Sequence, residues 1–386
     1  MALISVPAVA FLMPKLLISP VHSRADQKLF LELPWRINRR DPNWIPPLRQ
    51  NQAELVGFRH HPFYDDAEAQ AFLATMDGRA VGRVLAIINR AHNRVHKENR
   101  GFFGFFESID DAEVAAGLFE GVRWWLGERG ITQIRGPINP SLNYECGLLI
   151  EGFDTPPFFM MTHNLPYYQR LIEGSGFAKV EDMFAFWGQI GQLQDLDKKL
   201  EFIYHECNRR FDIKLRRMER AQFDRDVRIF LSIYNQSLVG TWGFTPLSEA
   251  EVEHMAGTLK LLIVPEMTTI AEIDGRPVGA QFGLLDYNPR IKQIDGRLFP
   301  LGFLRLLWNK QGIKRIRLIS TNVIPEYQKW GLGIVIAARL IPECHAWGIE
   351  EAEFSWVLES NRLSFGTLQR GGAKITKRYR IFDSTS

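Results

Sequence analysis

Cysteine is scarce in this chain: three in 386 residues, at Cys146, Cys207 and Cys344, far apart. That excludes a disulfide framework and a CxxC metal site, and it fits a reducing cytoplasm. An excess of one charge is also missing. The 47 Lys and Arg face 44 Asp and Glu, a net of +3, so no polycation invites nucleic acid and no nucleic-acid partner is expected. No apolar run reaches the ~18 residues that a transmembrane helix needs. The opening "MALISVPAVAFLMP" is apolar but lacks a basic n-region and is too short to span a bilayer. Residues 1–14 read as an N-terminal extension that leaves room for a peripheral membrane contact. What is present is ordinary globular material, 46% hydrophobic and 24% charged, with length for two domains.

The chain repeats itself. "DGRAVG" at Asp77–Gly82 returns as "DGRPVG" at Asp274–Gly279, each between two strand-like runs. Asp-Gly between such runs signals a β-hairpin. "KLLISPV" followed by a helix from about Arg24 pairs with "IKLRRM" followed by a helix from about Asp224. "GITQIRG" at Gly130–Gly136 matches "GIKRIRL" at Gly312–Leu318, each after an amphipathic run. Asn164 and Asn361 each precede a helical stretch, a glycine and a last strand. These matches imply a duplicated unit of about 180 residues with a mixed sheet covered by helices, an α/β fold. The divisions are the extension at 1–14, a first unit at 15–190, a linker helix at 191–210 and a second unit at 211–386.

The units differ after the Gly-Ile-x-x-Ile-Arg match. The second continues "STNVIPEYQKWGLGIVIAARL"; the first continues "NPSLNYECGLLIEGF", which aligned on Tyr327 and Tyr144 is one residue and one glycine short. Gly331 and Gly333 open a helical pattern in the second. Backbone N–H groups entering a helix are unsatisfied and the helix dipole adds positive character. Glycine lets an anion approach them. A plain strand-to-helix turn with no ligand carries the same two glycines.

Gln328-x-x-Gly331-x-Gly333, after a strand bearing Val323 and before a helix, resembles the pyrophosphate loop of the GCN5-related N-acetyltransferase (GNAT) superfamily. The resemblance covers residues 205–386 directly and 15–190 through the internal repeat. It implies two tandem GNAT-like domains, the first degenerate and on the acceptor side. It also implies that Gln328, Lys329, Trp330, Gly331, Leu332 and Gly333 hold the diphosphate of acetyl-CoA or a longer acyl-CoA. Asn322, Val323 and Ile324 would pair with the pantetheine arm, with one N–H polarising the thioester carbonyl. Asn361 matches an asparagine on the pantetheine side. Two departures stand out. The family's frequent tyrosine general acid is replaced by Leu368, which a thiol pKa near 8.5 tolerates. Pro342 interrupts the helix pattern and puts a straight helix beyond Leu340 in doubt.

No motif marks the general base; Glu272, Glu145 and His345 are candidates, and Cys344 is the cysteine to test as a nucleophile. The loop "NPSLNYECGLLIEGFDTPPFFMMTHNLPYY" mixes Asn, Tyr and Glu with apolar residues, as a pocket wall does. Tyr144 and Glu145 are therefore the candidate catalytic pair, placed between the units beside the donor thioester. His92 and His96 have metal-like i,i+4 spacing but lack a third ligand, so they read as a basic solvated loop and no metal is expected. "GFFGFFE" reads as a buried strand or a tunnel wall. The implied activity is N-acylation of a small or lipid-like amine in the cytoplasm. Sphingoid-base acylation, which other bacterial enzymes resembling this superfamily perform, is one subclass. Transfer from aminoacyl-tRNA and non-enzymatic CoA binding are the alternatives.

Overall fold

The computed structural model describes residues 15–192 and 198–385, so the expectation for residues 1–14 lies outside them. The first half runs β1 (Leu16–Pro20), α1 (Arg24–Ile37), α2 (Arg49–Leu55), β2 (Ala67–Met76), β3 (Arg79–Asn89), α3 (Arg90–His96), β4 (Arg100–Ser108) and α4 (Ala112–Gly127). It continues with β5 (Gln133–Gly136), β6 (Ile138–Asn139), β7 (Glu145–Cys146), β8 (Leu148–Glu151), α5 (Tyr168–Gly174) and β9 (Phe177–Gln189). Helix α6 (Lys198–Arg210) links to β10 (Ile213–Arg216), α7 (Phe223–Ser237), α8 (Glu249–Leu259), β11 (Thr268–Ile273) and β12 (Arg276–Leu285). Then come α9 (Asn288–Gln293), α10 (Gly302–Leu307), β13 (Arg315–Val323), α11 (Pro325–Gln328), α12 (Leu332–Trp347), β14 (Glu351–Leu358), α13 (Arg362–Arg370) and β15 (Lys374–Ser384).

The duplicated hairpins are β2–β3 and β11–β12. Asp77 and Gly78 (φ 49 and 75) and Asp274 and Gly275 (φ 52 and 74) both take the left-handed turn that suits a two-residue hairpin. The second glycine of each repeat has another cause. A Cβ on Gly82 would lie 2.8 Å from Leu118 of α4, and one on Gly279 would lie 2.5 Å from Ile336 of α12. The long helix of each half crosses the sheet there. Three residues on, the strand's other face meets the other helix layer, with Phe282 against Phe230 of α7 at 4.3 Å. Odd spacing on a strand is opposite faces, so each sheet half is sandwiched.

The strand order is β1-β2-β3-β4-β5-β15-β9-β14-β13-β12-β11-β10, with β8 also on β15, one 13-stranded mixed sheet. Its centre is an exchange. The last strand of the first half, β9, pairs with β14 of the second, and the last strand of the second, β15, pairs with β5 of the first. Strands β9 and β15 then pair with each other from Phe177↔Ser384 to Trp187↔Lys374.

This topology corrects one internal match. Strand β13 is antiparallel to β12 and parallel to β14; β4 is antiparallel to β3 and parallel to β5. The counterpart of β13 is therefore β4, not β5. Gly130 (φ 71) and Gly348 (φ 81) are the true pair, both left-handed glycines closing the long helices α4 and α12. A glycine followed by Ile-x-x marks any helix-to-strand passage, and Gly312 ends only a short 3-10 turn. "GFFGFFE" lies in the buried strand β4, and its Phe105, Phe106 and Glu107 also line a cavity, so the two readings of that stretch are not exclusive. Helix α12 continues through Pro342 to Trp347, and the proline sits on the exposed face. His92 and His96 lie on α3, not in a solvated loop. Their rings are 4.3 Å apart, His92 is buried, and His96 Nε2 meets Phe244 O at 2.8 Å, joining the halves.

Candidate active site

Strands β13 and β14 are paired only from Arg315↔Glu351 to Leu318↔Phe354. Beyond, Ile319–Val323 and Ser355–Leu358 diverge and leave a wedge. Chain from its outer edge makes the single turn α11 and enters α12. Gly331 is the N-cap of α12 at φ 82, supplies no side-chain cap, and no acid stands in the first turn. The leading N–H groups of a 16-residue helix are thus left for an external acceptor. A Cβ on Gly333 would meet only Thr321 Cγ2 at 3.7 Å, so the space beside it is open. In the wedge wall, buried Asn322 accepts from Ser237 Oγ at 3.0 Å and Ser320 Oγ at 2.7 Å while its Nδ2 has no partner. An unsatisfied donor and an uncapped helix fit a ligand with a carbonyl and a diphosphate.

The other predicted donor-side residues have local jobs. Gln328 Nε2 donates to Val323 O and Ser237 O, each at 2.9 Å, and so folds the loop back on itself. Gly331 is glycine for two reasons: its positive φ, and Ile203 of α6, whose Cγ2 would lie 2.1 Å from a Cβ there. Trp330 carries the Arg210 guanidinium 3.7 Å over its ring, which with exposed Lys329 sets two cations by the loop. Val323 and Ile324 are buried, and Leu332 packs in the core. Asn361 caps α13, accepting from Ser364 N at 3.1 Å.

In the first half the equivalent junction is Ser108–Ala112, not Tyr144–Leu149. There Asp111 caps α4, its carboxylate accepting from Glu113 N at 2.8 Å and Val114 N at 3.2 Å. A carboxylate already stands where an anion would sit. The equivalent wedge is filled as well. Strands β4 and β5 pair only from Arg100↔Gln133 to Phe102↔Arg135, and β6 enters the gap. Phe105 N donates to Asn139 Oδ1 at 2.6 Å, and a Cβ on Gly104 would lie 2.0 Å from Ile138 O.

Strand β7 pairs with β6, Asn139 opposite Glu145, and this places Tyr144 and Glu145 on a cavity of about 500 Å³ between the halves. Its apolar wall includes Trp44, Leu48, Phe105, Met160, Leu259 and Ile291. Tyr144 Oη donates to Glu251 Oε1 at 2.9 Å; burial and that carboxylate hold the phenol well above its ordinary range. Glu145 is held above the usual carboxylate range by burial, opposed by the Arg317 guanidinium. No side-chain hydrogen bond engages it among the described residues. One turn of α7 reaches the neighbourhood of both cavity and wedge: Tyr234 Oη donates at 3.0 Å to Oδ1 of Asn143, the residue before cavity-lining Tyr144, and Ser237 Oγ donates to Asn322.

The remaining candidates sit elsewhere. Glu272 is paired with Arg216 at 2.8 Å. His345 is 12 residues along α12 from Gly333, about 18 Å. Cys344 is buried against Met267, and burial pushes its thiol up to about 12, so it is no ready nucleophile.

Sequence reasoning missed three groups. Arg317, buried at the foot of the wedge, donates to Ser355 Oγ at 2.8 Å, Ser355 O at 3.0 Å, and Phe159 O and Met160 O at 3.2 Å. It ties β13 and β14 to the loop from the first half. Beside it, burial lifts Glu353 to about 7. On the cavity wall, His163 Nε2 meets Asp41 Oδ2 at 2.7 Å while its Nδ1 has no partner. Deeper, Glu107 accepts from Tyr168 Oη at 2.6 Å and Asn38 Nδ2 at 3.3 Å, and burial raises its carboxyl. Each joins residues far apart in the chain, so no local spacing announces it; only His163, inside the quoted loop, lay in a segment already suspected.

No family model matches the chain. It is 36% identical over 367 residues to Protein YghO of Escherichia coli, covering 94% of this chain and 93% of that one. It is 33% identical over 375 residues to the bacterial ceramide synthase of Caulobacter vibrioides, covering 95% and 96%. Among solved structures, a tandem GNAT protein from the clavulanic acid biosynthesis pathway aligns with TM-score 0.55 at 11% identity, over 96% of this chain and 98% of that one. A GCN5-related N-acetyltransferase from Sphaerobacter thermophilus aligns with TM-score 0.53 at 13% identity, over 96% and 95%.

Proposed function

The chain belongs to the family of YghO and the Caulobacter bacterial ceramide synthase, with a tandem GNAT fold, and from that premise we propose that it transfers an acyl group from acyl-CoA to a long-chain amine. The observation that carries the reading is the uncapped start of α12 opening on a wedge with an unsatisfied Asn322 amide, in a chain whose apolar cavity between the halves is lined by Glu145. On this reading the first unit, 15–190, shapes the acceptor site and the second, 211–386, holds the donor.

Bound acyl-CoA supplies an activated thioester carbonyl. Every other task falls to the chain. The N–H groups at Leu332 and Gly333 would hold the diphosphate, helped by Lys329 and Arg210. Asn322 Nδ2 would donate to a carbonyl of the arm or of the thioester. The cavity's apolar wall takes the tail of the amine, while the carboxyl of Glu145 attracts its ammonium head; Glu107 is already paired with buried Arg83 at 3.8 Å. Glu145 accepts the amine's proton; a carboxyl raised by burial is a better base than a solvated one. Tyr144 is a positioning residue, because its proton is committed to Glu251. No covalent enzyme intermediate is needed. The name of the Caulobacter relative favours a sphingoid-type amine as the substrate.

The test is incubation of the purified chain with hexadecanoyl-CoA and a long-chain 2-amino-1,3-diol, followed by mass spectrometry and thiol titration. One amide per released thiol is expected. Tight acyl-CoA binding with no amide from any long-chain amine would overturn the reading and leave a CoA-binding regulator.

A further inference from the structure

We propose that the surface built by residues 296–310, at the lip of the cavity, docks the protein onto an anionic lipid bilayer. Phe299, Leu301 and Trp308 are 70%, 68% and 76% exposed, with Leu304 and Leu261 beside them more than half exposed. Single exposed apolar side chains are common, but a cluster of large ones is not. Over the same stretch stand Arg297, Arg305 and Lys310, and no Asp or Glu. Aromatic and aliphatic side chains ringed by cations are the composition that sits in a lipid headgroup layer.

The surface is constructed rather than loose. Arg290, from α9, donates to the backbone carbonyls of Leu306 at 3.0 Å, Asn309 at 2.7 Å and Trp308. Leu306 is buried as the anchor, and Lys310 Nζ holds Leu261 O at 2.5 Å. Those bonds fix the apolar side chains outward. The nearest acid, Asp295, is shared among Trp35 Nε1 at 2.6 Å, Arg49 at 3.0 Å and Arg297 at 3.8 Å, so it offsets Arg297 in part and leaves Arg305 and Lys310 as the cations it does not pair. Arg305 makes no ion pair among the described residues. A second copy of the chain would bring these same cations together across a twofold contact, whereas anionic headgroups neutralise them.

Position gives the surface its use. Phe299 lines the cavity and is itself part of the exposed cluster, with half-buried Leu298 beside it on the cavity wall. An amphiphilic amine could then pass from the bilayer into the cavity without its tail crossing water. That last point rests on the acyltransferase reading; the docking itself does not.

The experiment is sedimentation of the full chain with vesicles of phosphatidylglycerol and phosphatidylcholine in equal parts, and with phosphatidylcholine alone. Binding is expected to the mixed vesicles, weakened by added salt. A Leu301→Ser, Leu304→Ser, Trp308→Ser variant should lose at least tenfold in partitioning, with its melting temperature and acyl-CoA affinity kept. An Arg297→Glu, Arg305→Glu variant should lose the preference for anionic lipid. Residues 1–14 are present throughout, so wild-type-like binding by both variants would assign the contact elsewhere and overturn the proposal. So would absence of binding by the wild type, or a concentration-dependent dimer that the serine variant abolishes. Vesicle binding without amide formation would leave the docking surface standing and remove the acyltransferase reading.

Discussion

The two halves begin their long helices in opposite ways. Helix α4 starts with its N–H groups satisfied by the carboxylate of Asp111, and Glu113 adds a second acid to the first turn. Helix α12 starts on a glycine with neither. The wedge ahead of α4 is filled by β6, and the wedge ahead of α12 has an unsatisfied amide in its wall. One strand-to-helix architecture is thus closed in one copy and open in the other. The lesson is that loss of an anion site needs no lost glycine: one aspartate at the cap occupies it. The filling strand then pairs with β7 and carries Glu145 to the cavity between the halves.

The largest effect should come from making the open junction resemble the closed one. Gly333→Glu puts an acid in the first turn of α12, where a Cβ has room; Gly331 is a poorer probe because Ile203 blocks it. Acyl-CoA affinity should fall about a thousandfold by calorimetry, about 4 kcal/mol, with the fold retained. Unchanged affinity would break the comparison at its root.

Next, Glu145→Gln keeps shape but not basicity. Turnover should fall about a hundredfold or more with KM and acyl-CoA affinity nearly constant. If Glu145 only holds the seam between halves, melting temperature will drop and turnover will survive.

The seam itself makes a smaller, pH-dependent prediction. Native Glu353 binds its proton up to about 7, against an ordinary 4.5. Its contribution to stability is therefore complete below about 4.5 and is lost as pH rises through 7. Glu353→Gln should gain on the wild type by about 2 kcal/mol between pH 5 and pH 8, read from paired urea titrations. A constant difference across that range would show that Arg317 already holds the group ionised.

The smallest effect belongs to the closed junction. Asp111→Ala should cost about 1 kcal/mol of stability, as a lost N-cap does, and leave acyl-CoA affinity unchanged. A second acyl-CoA bound per chain in that variant would mean that the cap alone excludes the ligand and that β6 does not.

Local chemistry was legible. The Asp-Gly hairpins, the start of α12 and the helix-ending glycines are each decided by neighbours within a few residues, through positive φ and unsatisfied N–H groups. For the same reason the strand match went astray. A left-handed glycine before a strand looks alike wherever it falls, and the place of β4 in the sheet depends on partners far along the chain.

By itself, then, the sequence determined that the fold is a duplicated α/β unit and that one helix of the second copy opens on bare glycines, because turns, caps and periodicity are properties of adjacent residues; which junction of the first copy corresponds to it depended on strand partners far along the chain. Tertiary structure alone decided the rest: the exchange of β9 and β15 at the centre of the sheet, the Arg317 seam, Asp41 set on His163, and Ile203 laid against Gly331. Those contacts join residues more than a hundred positions apart. Burial raises Glu145 and Glu353 only once both halves have closed over them.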